Sequence, residues 1–181
     1  KIKVLVTGAG SGVGQSIIKS LNISRVKCDV ISADIDYFNA ALFRTKKAII
    51  VPKVESKGAL TWYLKNLKKL KIDVLMVGSE FDLVFFAKNK KLIKEKTNCE
   101  ICVSNLDVVK ISDDKYLTQK FLYENNLPYL KTYSPKNLKE ALKFSKKLKK
   151  PFILKSRHGT SSRNVYLINT VKDLISLFNF V

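Results

Sequence analysis

The sequence predicts an α/β fold, with a doubly wound parallel sheet followed by a smaller α+β unit. Over the first 105 or so residues, short apolar runs typical of buried strands alternate with amphipathic stretches typical of helices. Such alternation favours a parallel sheet with helices on both faces. The order changes after Ser104, where two helical stretches precede a pair of strands. We therefore expect two domains, at residues 1–110 and 111–181.

Five strands and three helices are predicted in the first domain. Each strand is a short apolar run, and the runs are Lys3 to Thr7, Cys28 to Ala33, Ala48 to Val51, Val74 to Gly78 and Glu100 to Ser104. Each helix has apolar residues at helical spacing, and the helices lie around Gly14 to Asn22, Lys57 to Leu70 and Asp82 to Lys94.

Two helices and a strand pair are predicted in the second domain. Asp113 to Glu124 is expected to form a helix with an acidic start that Pro128 ends, and Leu138 to Leu148 a second amphipathic helix. Apolar runs then predict two buried, paired strands, at Phe152 to Leu154 and Val165 to Ile168.

The turn between these two strands is rich in small polar residues and is flanked by cations. Free backbone N–H groups and hydroxyls in such a turn can bind an anion. Lys155 supplies a compact point charge where the first strand ends, and Arg157 supplies a planar fork. The hairpin therefore predicts a phosphate clamp.

The hairpin resembles the phosphate-binding hairpin of ATP-grasp ligases. The stretch from Ser112-Asp113-Asp114-Lys115-Tyr116 to Pro128 is similar to the beginning of the ATP-binding domain in that superfamily. The glycine-rich run from Val4 to Ile17 and the run from Asp73 to Asp82 complete a pattern that is most similar to carbamoyl-phosphate synthase large subunit-like proteins. The likeness covers essentially the whole chain, in order.

The resemblance implies a Rossmann-like pre-ATP-grasp domain followed by the first, incomplete part of an ATP-grasp domain. The nucleotide would be ATP with Mg²⁺, whose ligands are expected beyond residue 181. The reaction would phosphorylate the carboxylate of an acidic small molecule, and a nucleophile would then displace phosphate from the acylphosphate. We expect no catalytic residue within this chain and no turnover by it alone, and the resemblance leaves a homo-oligomer open.

The resemblance also implies the nucleotide ligands. Lys115 and Lys155 correspond to the two lysines expected near the α- and β-phosphates. The full candidate set is Lys115, Lys155, Arg157, Gly159, Thr160, Ser161, Ser162 and Arg163. The loop from Gly159 to Val165 lacks two glycines that relatives carry. Asn164 tolerates a left-handed conformation, whereas Ser161 does so only at a cost. The altered loop is therefore expected to affect either the affinity for ATP or closure of the loop over it.

The glycine turn from Thr7 to Gly14 follows a strand and opens a helix, as in dinucleotide-binding proteins. Asp34 ends the second strand, where a ribose-binding acid could lie. A short-chain dehydrogenase that binds NAD(P) is therefore the rival interpretation, although the pair Tyr116 and Lys120 is expected by chance in so lysine-rich a chain. In ATP-grasp relatives the turn is structural or lies at the substrate edge. Its weak candidate contacts are Gly10, Ser11 and Gly12.

A second polar group, Gly78, Ser79, Glu80 and Asp82, follows the fourth predicted strand. Open α/β sheets bind ligands at the carboxyl ends of their strands, so these residues are weak candidates for substrate contact. Helix capping by Ser79 or Asp82 is an equally good interpretation.

The formal charge of +19 comes from 30 lysines and only four arginines against 15 acids. We attribute it mainly to composition bias and a solvated surface, and in part to attraction of ATP and an acidic substrate. Specific nucleic-acid binding is disfavoured, because interleaved Arg and aromatic residues are lacking. A non-catalytic polyanion-binding domain is the third interpretation.

No apolar run approaches the ~18 residues of a membrane span, so we expect a cytoplasmic protein. Cys99 and Cys102 are expected on opposite faces of a strand, without a redox or metal role. His158, the only histidine, is expected to be a polar loop residue rather than a catalyst.

Overall fold

The computed structural model describes residues 1–159 and 162–181, and it divides the chain into two compact units, Lys1–Val109 and Lys110–Val181. The two candidate ligands Thr160 and Ser161 lie outside the described residues. The elements of the first unit are β1 Ile2–Thr7, α1 Gly12–Ile23, β2 Cys28–Asp34, a 3-10 turn Ala40–Arg44, β3 Lys47–Ile50, α2 Ala59–Leu70, β4 Val74–Val77, α3 Glu80–Thr97 and β5 Glu100–Cys102. Helix α4, Leu106–Asp113, contains the point of division.

All five strands of the first unit are parallel, in the order β3-β2-β1-β4-β5. The register pairs Val4 with Val30 on one side and with Val74 on the other. The sheet, flanked by helices, confirms the predicted α/β fold class. The chain order reverses between β1 and β4, so the carboxyl ends of these two strands form the switch point at which such sheets offer a crevice.

Alternate residues of the strands build two cores, one on each face of the sheet. Leu5 and Leu75 point to the face covered by α2 and α3, where Tyr63 and Phe86 are fully buried. Val4 and its neighbours Val6 and Val30 point to the opposite face, against Ile18 of α1. This two-sided burial explains why the strands are continuous apolar runs rather than alternating ones.

The second unit contains α5 Lys115–Glu124, α6 Leu138–Ser145, β6 Phe152–Lys155, β7 Val165–Ile168, α7 Val171–Leu177 and a 3-10 turn Phe178–Phe180. Strands β6 and β7 pair in antiparallel register. Ile168 and Leu174 are buried with Ala141, and the hairpin residues Phe152 and Leu154 pack against this core. Both α6 and α7 therefore cover the same face of the hairpin.

The prediction that both strands of the hairpin are buried is wrong for one face. The side chains of Ile153, Val165 and Leu167 are 53%, 42% and 55% exposed. Because successive residues of a strand point to opposite faces, the helices that cover Phe152 and Leu154 leave the other face uncovered within the described part of this unit. An unbroken apolar run in the sequence does not show whether a strand is buried on both faces or on one face only.

The predicted helix from Asp113 to Glu124 is in fact two helical segments. Helix α4 ends at Asp113, Asp114 has an extended backbone, and α5 begins at Lys115. The break arises because the Asp114 side chain accepts hydrogen bonds from the N–H groups of Tyr116 and Leu117 and so caps a new helix. None of the described helices is both long and apolar enough to cross a membrane.

Candidate phosphate-binding site

Lys155 is the last residue of β6, and its side chain lies on the exposed face of the hairpin. The register places Lys155 opposite Val165 and Ile153 opposite Leu167. All four side chains are exposed. The hairpin thus presents an apolar strip with a single cation at the end that leads into the loop.

Lys115, the first residue of α5, lies against the beginning of the same loop. Its backbone N–H donates a hydrogen bond to the carbonyl oxygen of Arg157 at 3.1 Å. Its Nζ donates to the carbonyl oxygen of Gly159 at 2.7 Å. The structure therefore brings Lys115 to the loop that follows Lys155, although 40 positions separate the two lysines in the sequence.

Arg157 is engaged by a carboxylate. Its Nε donates to Oδ2 of Asp114 at 2.6 Å, and the guanidinium carbon lies 5.3 Å from the centroid of the Tyr116 ring. Burial alone would raise the pKa of Asp114, but hydrogen bonds from Leu117 N–H and Arg157 outweigh burial and hold that pKa below its ordinary value. Asp114 is therefore an anion near neutral pH, paired with a cation that sequence analysis assigned to phosphate.

His158 lies between two carboxylates. Its Nδ1 is 3.3 Å from Oδ2 of Asp113, and its Nε2 is 3.8 Å from Oδ2 of Asp114. The imidazole is 61% exposed. The described polar contacts of the His158 side chain are thus with the two acids at the junction of α4 and α5.

The described part of the loop uses left-handed backbone conformations. Asn164 has φ of 53° and Gly159 has φ of 108°, and Ser162 also has a positive φ, of 57°. Asn tolerates this region and Gly is unrestricted there, whereas Ser adopts it at a modest cost. Arg163 is exposed in the turn before β7. The loop is closed by a hydrogen bond from Ser156 N–H to the carbonyl oxygen of Asn164 at 3.2 Å.

A cavity of about 410 Å³ runs along β6 within the second unit. Its lining includes Lys115, Lys155 and Arg157 together with the aromatic rings of Tyr116 and Phe144. Lys131 also lines the cavity. Lysine side chains beside an apolar wall are suited to a ligand that carries both negative charge and an aromatic group.

The glycine turn of the first unit is occupied by internal contacts. The N–H of Gly10 donates to Oδ2 of Asp34 at 2.8 Å, and the Asn39 side chain donates to the same oxygen at 2.9 Å. The other oxygen of Asp34 accepts from the backbone N–H groups of residues 35 and 36. Asp34 is buried. The carboxylate predicted to meet a ribose is thus engaged by the protein itself.

Ser11 and Gly78 join the glycine turn to the end of β4. The hydroxyl of Ser11 donates to the carbonyl oxygen of Gly78 and accepts from Gly14 N–H at 2.9 Å, so that it caps α1. A Cβ atom on Gly78 would lie 2.3 Å from the carbonyl oxygen of Thr7. Gly12 is different, because a Cβ atom there would meet nothing within 4 Å. Most residues of the glycine turn therefore make hydrogen bonds or close contacts within the first unit.

Ser79 caps α3, since its hydroxyl accepts from the N–H of Phe81 at 3.3 Å. Glu80 and Asp82 lie in the first turn of this helix. Burial raises the pKa of Asp82, and the nearby negative charge of Glu55 raises it further. The capping interpretation accounts for Ser79, and the substrate role of Gly78, Glu80 and Asp82 stays a prediction.

Three residues at the site, Asp114, Ile153 and Leu167, were not predicted from the sequence. The signal for Asp114 was available, because an Asp immediately before a helix is a preferred cap. No comparable signal marked Ile153 and Leu167, since their exposure follows from which face of the hairpin the helices cover.

Neither a protein-family model nor a curated protein matches the sequence. Solved structures do match. The biotin carboxylase domain of 2-oxoglutarate carboxylase from Hydrogenobacter thermophilus, crystallised with MgADP, ADP and bicarbonate, is 14% identical, with a TM-score of 0.74 over 98% of this chain and 39% of that one.

Two other solved structures match the chain with similar TM-scores. N5-carboxyaminoimidazole synthetase from Staphylococcus aureus, complexed with ADP, is 22% identical, with a TM-score of 0.75 over 99% of this chain and 44% of that one. L-amino acid ligase from Bacillus licheniformis is 16% identical, with a TM-score of 0.70 over 99% of this chain and 42% of that one.

The chain spans about two fifths of the length of these three proteins. All three are ATP-grasp enzymes. The fold that the resemblance implies is thereby confirmed, whereas the carbamoyl-phosphate synthase detail is not. Identities this low establish the fold alone, and the fold of this chain is that of ATP-grasp enzymes.

Proposed function

We propose that this chain supplies the phosphate-binding hairpin of an ATP-dependent, ADP-forming carboxylate ligase. The observation that carries the proposal is the convergence of Lys115 and Lys155 on one loop. Lys155 ends an exposed strand at the start of the loop, and Lys115 Nζ is 2.7 Å from the carbonyl oxygen of Gly159 within it. Two cations that are brought together by the fold, rather than by sequence proximity, form a suitable phosphate site.

The exposed face of the hairpin is suited to the remainder of a nucleotide. The Ile153 and Leu167 side chains are more than half exposed and lie opposite each other in register. A purine ring that packs on this strip would remove both side chains from water. Lys155 lies two residues beyond Ile153 on the same face of β6, toward the loop. Phosphates that follow the purine and ribose would therefore reach its ammonium group and then that of Lys115.

The chemistry follows from where charge develops. During transfer of the γ-phosphoryl group to a carboxylate, negative charge grows on the leaving phosphates, and fixed cations stabilise it. A nucleophile would then displace phosphate from the acylphosphate. The described residues contain no group of three or more His, Cys, Asp or Glu side chains able to hold a metal ion. Following the sequence resemblance, we assign Mg²⁺ to the nucleotide, as MgATP.

Three further parts of the proposal come from the sequence resemblance. They are the likeness to carbamoyl-phosphate synthase large subunit-like proteins, an acidic small molecule as the second substrate, and the assignment of residues 1–110 and 111–181 to the pre-ATP-grasp and ATP-grasp domains. On the same resemblance, we propose Gly159, Thr160, Ser161, Ser162 and Arg163 as the remaining nucleotide ligands.

Equilibrium titration of the purified protein with MgATP, NADH and NADPH tests the proposal against the dehydrogenase alternative. We expect saturable binding of MgATP at physiological salt and none of either nicotinamide nucleotide. Nicotinamide binding that is lost on Gly12→Val, with no response to MgATP, would contradict the proposal. A separate titration with duplex DNA addresses the polyanion alternative. Binding of DNA should be weak and steeply salt-dependent, and tight binding at physiological salt would favour a polyanion-binding domain.

A further inference from the structure

One buried carboxylate joins the start of α5 to the loop that follows β6. Oδ1 of Asp114 accepts from the N–H groups of Tyr116 at 2.9 Å and Leu117 at 3.1 Å, which caps the helix. Oδ2 of Asp114 accepts from Arg157 Nε at 2.6 Å. The Asp114 side chain is only 5% exposed. Its two oxygens therefore act on two different segments of the chain.

Lys115 reinforces the same junction. Its N–H bonds to the carbonyl oxygen of Arg157, and its Nζ bonds to the carbonyl oxygen of Gly159. Asp114 thus binds the side chain of Arg157, while its neighbour Lys115 binds the backbone of residues 157 and 159. The backbone between them belongs to His158, whose ring lies near Asp113 and Asp114.

An acid at this position presents an electrostatic problem. The proposed phosphate site lies at this junction, and an isolated carboxylate there would repel a nucleotide. Pairing with Arg157 cancels that repulsion and uses the Nε of the arginine. The pair as a whole contributes no net charge. Any benefit of the pair to nucleotide binding must therefore come from the positions in which it holds neighbouring groups.

We propose that Asp114 is a positioning residue for nucleotide binding, which acts through Arg157 and Lys115 and does not itself contact the phosphates. The inference rests on the proposed function. Asp114 fixes the helix start from which Lys115 projects, and it holds through Arg157 the loop segment to which the Lys115 ammonium is bonded. Arg157 is then the partner of Asp114 and not an independent phosphate ligand.

The substitution Asp114→Asn tests the proposal because simple electrostatics and positioning predict opposite signs. Asn is a good helix cap, so α5 keeps its start, but the charge-assisted bond to Arg157 is lost. If Asp114 acted only as a nearby negative charge, its removal would tighten MgATP binding. Positioning predicts that binding of MgATP weakens about five- to 50-fold, while binding of adenosine, which has no phosphate, changes little.

Asp113→Asn is the matched control. It removes the same charge one residue earlier, at a side chain that is 47% exposed and contacts only His158 among the described residues. We expect MgATP affinity to stay within about twofold of the unsubstituted protein or to improve slightly. A loss at this position equal to that of Asp114→Asn would overturn the proposal, since it would show that any acid at the junction has the same effect.

Two further measurements complete the test. In an Arg157→Gln background, Asp114→Asn should have no additional effect on MgATP affinity, because the two residues act as a unit. In the ligand-free protein, residue-resolved amide exchange should speed up at Lys115, which donates to Arg157, and remain slow at Tyr116 and Leu117, which Asn still caps.

The outcomes separate this inference from the function on which it rests. If Asp114→Asn leaves MgATP affinity unchanged or improves it, while Lys155→Ala still weakens binding, the positioning role is wrong and the nucleotide site stands. If the unsubstituted protein does not bind MgATP, both proposals are overturned together. Additive effects of the Asp114 and Arg157 substitutions would also contradict the inference.

Discussion

A Cβ atom on Gly14 would lie 2.2 Å from the carbonyl oxygen of Gly8. Gly14 is in the first turn of α1, and Gly8 follows β1 with a φ of +55°. The helix can approach the strand end this closely only because the position bears no side chain. The turn that resembles a dinucleotide fingerprint is therefore required for packing of α1 against the sheet.

Replacement of Gly14 by Ala should destabilise the first unit by about 1–3 kcal/mol, because the new methyl group meets backbone atoms that cannot rotate away. Gly12→Ala, two residues earlier in the same helix, meets open space and should stabilise it by about 0.5 kcal/mol through helix propensity. Urea unfolding monitored by Trp62 fluorescence measures the change in unfolding free energy for both variants. Trp62 is the only tryptophan in the sequence and lies in α2 of the first unit. Equal effects would contradict the packing role.

Lys155→Ala should weaken MgATP binding about ten- to 150-fold, the loss of a charge-assisted contact worth about 1.5–3 kcal/mol. Lys149→Ala, which removes an exposed lysine from the same unit, should cost well under about 1 kcal/mol. Lys155→Arg should restore binding only in part, because a planar fork does not fill the space of an ammonium group. Titration of all three variants in one buffer is required. Similar small losses at both positions would mean that the hairpin does not bind phosphate.

Asp82→Asn should stabilise the first unit at neutral pH. Burial raises the folded-state pKa of Asp82 above its unfolded value. Stability linked to its protonated form is therefore present below the unfolded pKa and lost as pH rises through the folded pKa. Asn avoids that loss, but it also gives up a favourable charge in the first turn of α3, so Tm at pH 7 should rise by only about 1–2 °C.

The pH dependence is the decisive part of this measurement. Near pH 3 the carboxyl group is protonated in both states, so the difference in Tm between Asp82→Asn and the unsubstituted protein should vanish. Glu95→Gln, at an exposed acid of the same helix, is the control. A Tm that falls at pH 7 would show that the ionised carboxylate stabilises the fold.

The three cysteines should react with a thiol reagent at very different rates. Cys102 is exposed, Cys28 is half-buried and Cys99 is fully buried. Burial also raises the pKa of Cys99 to about 12. At pH 8 its thiolate fraction is then about three orders of magnitude below that of an ordinary thiol. Mass spectrometry should find Cys102 modified first and Cys99 only as the protein unfolds, and early labelling of Cys99 would contradict its buried position.

The fold was more predictable than the site, for a physical reason. The apolar runs at β1, β2 and β4 are buried on both faces, so hydrophobicity alone locates them within a residue or two. Lys155 was placed correctly at a strand end, because a strand and its turn are local features. The contact of Arg157 with Asp114 joins residues 43 positions apart, and nothing local in either segment predicts it.

The exposed strip on the hairpin has a consequence for solubility. Within the described residues β6 pairs only with β7, so an apolar strand with one unpaired edge borders the strip of Ile153 and Leu167. Such edges invite association with other strands. Lys149, Lys150 and Pro151 precede β6 and Lys155 ends it, and charged residues and proline in flanking positions act as gatekeepers against aggregation. Neutralising Lys155 should therefore make the protein more prone to aggregate, whether or not nucleotide is bound there.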